Sequence, residues 1–193
     1  GQGEVTEGEG GVEFEAPRAG RRADGRGLLI GWMGGADGEG MRQPTMANGW
    51  IHQMTCVRQL ETREGRLLQR PVAELKALRG EEHHFQGRAA EAPLISAQRL
   101  EILIAAQGKI TLDFSDTLQL EWHEEGLRLA RRSIESGEWQ YRYWRSAVSH
   151  MQILCDHSSV EIFINGGEGV MSSRYFPAQA AQLTLIGDAE VEA

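Results

Sequence analysis

The chain has 193 residues, of which 28 are acidic and 20 basic, and its formal net charge is −8. An acidic surplus argues against a protein that tracks nucleic-acid phosphates, and a 40% hydrophobic share with 24 glycines is that of a globular chain rather than a disordered one. The charge is uneven, because residues 81–193 hold 17 acidic and 9 basic residues and account for all of the −8. This uneven charge predicts that the chain consists of two structurally different parts.

Period-2 or continuous apolar patterns predict β-strands along most of the chain. The first is the run LLIGWM at 28–33, which lies between glycines. Similar segments follow at spacings of roughly 8 to 12 residues, a rhythm typical of a β-sandwich or barrel. They are 66–72, 101–105, 109–114, 117–122, 127–131, 139–144, 150–155, 160–164, 169–173 and 181–186.

Two connecting elements can be assigned from local signals. Residues 71–80 show helical spacing of Leu75 and Leu78 with Gly80 as a stop, and predict a short helix between the two pieces. Asn165 and the two glycines after it favour a tight turn, so strands 160–164 and 170–174 are predicted to form a hairpin.

Chemical motifs are sparse. The six histidines have no metal-ligand spacing, so no metal is expected, and the two cysteines are expected to be free thiols. The triplet Asp156, His157 and Ser158 has the residue types of a catalytic triad, but neighbours on a strand point to opposite faces. An aromatic cluster, comprising Trp122, Trp139, Tyr141, Tyr143 and Trp144, could stack on sugar rings, although strand aromatics are more often core or cross-strand pairs.

Three blocks, in this order, carry a resemblance to a known family. They are GLLIGWM at 27–33, GWIHQMTCVRQL at 49–60 continuing into GRLLQRPVAEL at 65–75, and DHSSVEIFIN at 156–165 with VMSSRYFP at 170–177. Together they resemble the C-terminal part of the family 32 glycoside hydrolases, in the branch of bacterial sucrose-6-phosphate hydrolases and other β-fructofuranosidases.

The resemblance implies an all-β fold. Family members have a five-bladed β-propeller that holds the active site, a linker and a C-terminal β-sandwich. By this likeness residues 1–70 are expected to be the last propeller blade, 71–80 a linker helix and 81–193 the sandwich. The charge division falls at the same place.

The resemblance also implies an activity for the longer protein. It would cleave the β-fructofuranosidic bond of sucrose or sucrose 6-phosphate by the retaining mechanism that uses two carboxylates. The family's three catalytic motifs, WMNDPNG, RDP and EC, do not occur in this sequence. We therefore expect no catalytic residue here and, since this chemistry needs none, no cofactor or metal.

Substrate contacts are expected only at a cleft rim or by ring stacking, and the candidates are Trp32, Trp122, Trp139, Tyr141 and Trp144. Two positions depart from the family pattern, because Glu15 and Ala36 stand where pocket aromatics are usual. Either the alignment slips in this glycine-rich region or the pocket aromatics have been lost.

Other functions and several partners stay open at this point. The main alternative is a free-standing carbohydrate-binding or structural sandwich module, and a weaker one is an independent hydrolase that uses Asp37 with Glu13 or Glu15. Expected partners are the sugar, bound through the longer protein, and missing propeller residues or a partner chain that covers the blade edge. A homodimer is left open, nucleic acid and membrane are not expected, and the expected location is cytoplasmic.

Overall fold

The computed structural model describes residues 9–34, 42–180 and 182–193. Its first part is a small antiparallel sheet in the order β1-β2-β4-β5, with β3 paired to β2. A 3₁₀ helix, Pro44–Asn48, precedes β3. The strands are β1 (Glu15–Arg21), β2 (Gly27–Met33), β3 (Gln53–Met54), β4 (Arg58–Arg63) and β5 (Arg66–Pro71).

Two six-stranded antiparallel sheets form the second part, in the orders β12-β11-β10-β9-β16-β7 and β15-β14-β13-β8-β17-β6. The expected all-β fold with a C-terminal β-sandwich is therefore confirmed. A 3₁₀ turn, Ala89–Glu91, follows β6. The strands are β6 (Gln86–Arg88), β7 (Ile95–Ser96), β8 (Leu100–Gln107), β9 (Ile110–Ser115), β10 (Leu118–His123), β11 (Gly126–Arg132), β12 (Trp139–Trp144), β13 (His150–Asp156), β14 (Ser159–Ile164), β15 (Gly169–Arg174), β16 (Gln182–Gly187) and β17 (Glu190–Glu192).

The core lies between these two sheets and follows from strand alternation. On β9, Ile110, Leu112 and Phe114 are buried while the residues between them are partly exposed. Side chains two apart on a strand share a face, so each such strand contributes one apolar row. Inward rows from β8, β10, β11, β13 and β14 complete a single cluster.

The hairpin of β14 and β15 is as the sequence predicts, with Asn165, Gly166 and Gly167 all at positive φ in the turn. Every residue of both strands is buried, although only one face of the hairpin meets the sandwich core. The small sheet covers the other face, and β15 contacts both β2 and β5. The hairpin is therefore the middle layer of a three-layer stack.

The connection between the two parts is helical but shorter than expected. A 3₁₀ helix spans Ala73–Leu78, and Arg79 is already extended, so Gly80 is not its stop. No side chain of this helix is buried, and helices of this length depend on packing of an apolar face for their stability. Among the described residues, no helix is long and apolar enough to cross a membrane.

Candidate functional site

The five candidate sugar-binding residues lie in three different places. Trp122 is only 1% exposed, and its indole Nε1 donates to the Val148 carbonyl at 3.2 Å inside the core. Trp144 is half-buried against the same core, and its indole N–H has no hydrogen-bond partner within the described part of the chain. Neither ring lies flat on the surface as a stacking platform does.

Trp139 and Tyr141 lie on β12, the edge strand of one sheet, where Tyr143 shares their face. Tyr141 and Tyr143 are exposed, but an arginine guanidinium covers each of the three rings, within the distance of a cation–π contact. The pairs are Trp139 with Arg132 (4.3 Å), Tyr141 with Arg128 (4.9 Å) and Tyr143 with Arg145 (4.8 Å). One ring face of each aromatic residue is thus already occupied by a cation.

Trp32 lies at the end of β2, opposite Glu15 on β1 and Met54 on β3. Its ring meets the His52 ring edge-on, with centroids 4.8 Å apart and an interplanar angle of 88°. It also lies so close over Gly34 that a Cβ there would be 2.0 Å from the indole.

Trp50 is a third aromatic residue at this place. It follows Gly49, whose left-handed backbone closes the 3₁₀ helix, and it is partly exposed. We call Trp32, Trp50 and His52 the aromatic end of the small sheet. The sequence interpretation selected only Trp32, although the other two belong to the block at 49–60 that carries the family resemblance.

Arg174 of β15 connects the sandwich to this aromatic end and is fully buried. Its Nε and Nη2 donate to the carbonyl and hydroxyl of Ser158, at 2.9 and 3.0 Å. Its Nη1 donates to the carbonyls of Met33 and Ile51, at 3.2 and 3.3 Å. Its guanidinium also lies 5.6 Å from the centre of the Trp50 ring. Burial lowers the pKa of Arg174 to about 10, so the side chain remains charged at neutral pH.

Arg58 of β4 is the centre of a second buried contact and is also fully buried. Nε and Nη2 donate to Glu161 Oε2 on β14, at 3.2 and 2.8 Å. Nη1 donates to Glu9 and Gln69, at 2.9 and 3.0 Å, and Nη2 also donates to the Ser172 hydroxyl at 2.6 Å. All five guanidinium N–H groups are therefore used, and the partners come from both parts of the chain.

The segment just before β1 takes part in the same interface. Gly10 and Val12 donate backbone hydrogen bonds to β15, and Glu13 pairs with Arg131 of β11 at 2.7 Å. Burial raises the pKa values of Glu9 and Glu13, although the arginine beside each carboxylate partly opposes this.

The structure shows the contacts of Glu13 and of the triplet Asp156, His157 and Ser158, whose residue types are those of catalytic groups. Glu13 is engaged in a buried ion pair, and Ser158 directs its hydroxyl to Gln53 and accepts from Arg174. His157 contacts Asp156 through Nδ1 at 2.8 Å, but its Nε2 meets Gln98 at 3.1 Å and not Ser158. The three residues of the triplet therefore do not form a triad.

Asp37 and Ala36 lie outside the described residues. Glu15, the remaining candidate carboxylate, lies on β1 opposite Trp32. Both cysteines are free thiols, as expected. Within the described ranges, no group of three or more His, Cys, Asp or Glu side chains could hold a metal ion.

Comparison with known proteins gives two consecutive matches to the models of one family. The family model "Glycosyl hydrolases family 32 N-terminal domain" matches residues 2–71, and "Glycosyl hydrolases family 32 C terminal" matches residues 97–191. The sucrose-6-phosphate hydrolase of Salmonella typhimurium is 52% identical over 185 residues, which is 96% of this chain and 39% of the relative. That of Bacillus subtilis is 36% identical and covers 91% of this chain.

Solved structures agree on the fold. The sucrose-6-phosphate hydrolase of Lactobacillus gasseri superimposes with a TM-score of 0.78 at 24% identity, over 95% of this chain and 41% of its own. An exo-inulinase of Aspergillus awamori gives 0.75 at 16% identity, over 96% of this chain and 43% of its own. The chain thus spans about two fifths of the length of the proteins it matches.

Proposed function

Because the chain belongs to family 32 of the glycosyl hydrolases, we propose that it is the C-terminal, non-catalytic part of an enzyme that cleaves the β-fructofuranosidic bond of sucrose or sucrose 6-phosphate. The observation that carries this proposal is the 52% identity to a sucrose-6-phosphate hydrolase over 96% of the chain, across both parts of the fold. In this proposal the enzyme acts in the cytoplasm.

In this proposal each segment of the chain corresponds to one part of the family fold. Residues 1–70 form the last blade of the propeller, 71–80 the linker and 81–193 the sandwich. The small sheet ends at Pro71 and the first sandwich strand begins at Gln86, which supports these boundaries. The exposed edge strand β1 is then covered by propeller residues that precede this chain in the longer protein.

The retaining mechanism requires two carboxyl groups about 5 to 5.5 Å apart, of which one is free to attack and the other to exchange a proton. The buried carboxylates Glu9, Glu13 and Glu161 instead pair with arginines at 2.9, 2.7 and 2.8 Å. This supports a catalytic pair located elsewhere in the longer protein. Trp32 is the candidate from this chain for the rim of the sugar site.

The test compares the 193-residue chain with the longer protein, using sucrose and sucrose 6-phosphate and detecting released glucose or glucose 6-phosphate. We expect turnover by the longer protein only, and a raised KM in its Trp32→Ala variant. Release of product by the short chain, abolished by Asp37→Ala, would contradict the proposal and favour the independent hydrolase.

A second candidate function is sugar binding by the sandwich alone, and one observation favours it. Tyr141 is 40% exposed on an edge strand, as a stacking residue must be, although Arg128 covers one face of its ring. Calorimetric titration of the chain with fructose oligosaccharides separates the two candidates. Saturable binding that Tyr141→Ala abolishes would favour the module, and absence of binding favours the enzyme part.

A further inference from the structure

The aromatic end belongs to the small sheet, but its backbone is fixed by a side chain of the sandwich. The Met33 carbonyl belongs to the peptide bond that leads into Gly34, over which the Trp32 ring lies. The Ile51 carbonyl belongs to the peptide bond that leads into His52, the ring partner of Trp32. Both carbonyls accept from one nitrogen, Nη1 of Arg174.

We propose that Arg174 is a positioning residue that sets the relative orientation of Trp32 and His52. If the proposed function holds, the sandwich thereby shapes the sugar-facing rim of the propeller without contacting the sugar. The inference rests on the proposed function for its consequence in catalysis, but the positioning itself is a property of the 193-residue chain.

The geometry of the guanidinium explains why an arginine is required here. Its N–H donors form a rigid planar fork. The half of the fork that faces Ser158 is held by a carbonyl and a hydroxyl, so the direction of Nη1 is fixed. The Ser158 hydroxyl also donates to Gln53, the residue after His52. A lysine ammonium is a single point on a flexible stem and cannot hold both sides at once.

The first experiment uses fluorine NMR of the chain labelled with 5-fluorotryptophan, with the Trp32 resonance assigned from Trp32→Phe. Carbon-13 shifts of the Met33 and Ile51 carbonyls are recorded alongside. The variant is Arg174→Lys, and the matched control is Arg58→Lys, because both residues are fully buried arginines that join the same two parts.

We expect Arg174→Lys to shift the Trp32 resonance and both carbonyls. Amide exchange in residues 31–34 and 51–55 should become faster by about tenfold, as expected when hydrogen bonds to a charged donor are lost. Arg58→Lys should leave the Trp32 resonance in place. Unchanged Trp32 and carbonyl signals in folded Arg174→Lys, or equal changes in both variants, would overturn the positioning role.

If Arg174→Lys does not fold, Ser158→Ala takes its place, because it keeps the guanidinium and removes the hydroxyl that orients it. Shifted Trp32 and carbonyl signals in Ser158→Ala would support the positioning role, and unchanged signals would overturn it. In the longer protein, a positioning role predicts that Arg174→Lys raises KM by about fivefold with kcat changed less than about twofold. An inactive unmodified protein would contradict the proposed function alone, since the NMR result stands without activity. A loss confined to kcat would contradict the link between Arg174 and the sugar rim.

Discussion

Replacing Arg58 by methionine tests whether the buried contacts between the two parts determine the stability of the chain. The substitution keeps an unbranched chain that replaces Arg58 as far as Nε, but it removes five hydrogen bonds and the positive charge between Glu9 and Glu161. Two buried carboxylates would then face each other across an apolar side chain. Breaking a buried ion pair from one side costs about 3 to 5 kcal/mol.

The assay is urea unfolding at neutral pH, followed by circular dichroism. A loss of about 4 kcal/mol lowers the unfolding midpoint by about 2 M if the dependence of the free energy on urea is about 2 kcal/mol per molar. Arg79→Met is the control, since Arg79 pairs with Glu101 at 2.5 Å on the surface. Exposed pairs contribute less than about 1 kcal/mol, so its midpoint should hardly move.

A double variant distinguishes two causes of destabilisation. One is the loss of the attraction between Arg58 and Glu161, and the other is the burial of the Glu161 carboxylate without its partner. Glu161→Gln in the Arg58→Met background removes one buried negative charge, so the loss should be smaller than the sum of the two single losses, by roughly 0.5 to 3 kcal/mol. If Arg58→Met costs no more than Arg79→Met, or if the two losses simply add, the reasoning about this interface is wrong.

Three further predictions concern the turn, the pH dependence and the core. Gly167→Ala should lower the free energy of unfolding in urea by about 2 kcal/mol or more, because φ is +101° and a Cβ would lie 2.2 Å from the Gln69 carbonyl oxygen. Gly25→Ala is the control: its φ is also positive but no atom of the described residues lies near the new Cβ, so the free energy of unfolding should fall by only about 1 kcal/mol. Burial raises the pKa of Glu9 above its ordinary value of 4.5, so this shift stabilises the fold below pH 4.5 and the stabilisation is lost as pH rises through the raised pKa. Glu9→Gln should therefore gain stability relative to the unmodified chain as pH rises above 4.5 in the same assay, and a constant difference would refute this. Trp122→Phe should cost roughly 1 to 3 kcal/mol of unfolding free energy, with no change in sugar affinity, because it leaves a core cavity and an unpaired carbonyl.

The sequence predicts those elements whose conformation is determined by their own residues. The hairpin of β14 and β15 was predicted because Asn165 and the two glycines after it supply the positive φ values that its turn requires. β1 was missed, since a strand that contains Pro17 and Arg18 and is almost wholly exposed has no apolar alternation. Pairing with β2 makes it a strand, and such pairing leaves no trace in its own residues.

The candidate site was predictable only in part, for a related reason. Trp32 lies in a recognisable block, but the importance of Arg174 depends on carbonyls 123 and 141 residues away in the sequence. Glu13 is a candidate catalytic carboxylate in the sequence because an isolated glutamate does not indicate its partner. Its pairing with Arg131 and the backbone of β15 exists only once both parts are folded together.

The charges of the interface are exchanged crosswise between the two parts. Glu13 of the first part pairs with Arg131 of the second, and Glu161 of the second part pairs with Arg58 of the first. Glu9 pairs with Arg58 within the first part and accepts from Ser172 of the second. Backbone hydrogen bonds from Gly10 to the Val170 carbonyl and from Val12 to the Ser172 carbonyl hold the segment before β1 along β15, beside these pairs. Buried charges that lose their partners are costly, so the two crossed pairs favour the packing of the two parts in which Arg174 also donates to the Met33 carbonyl.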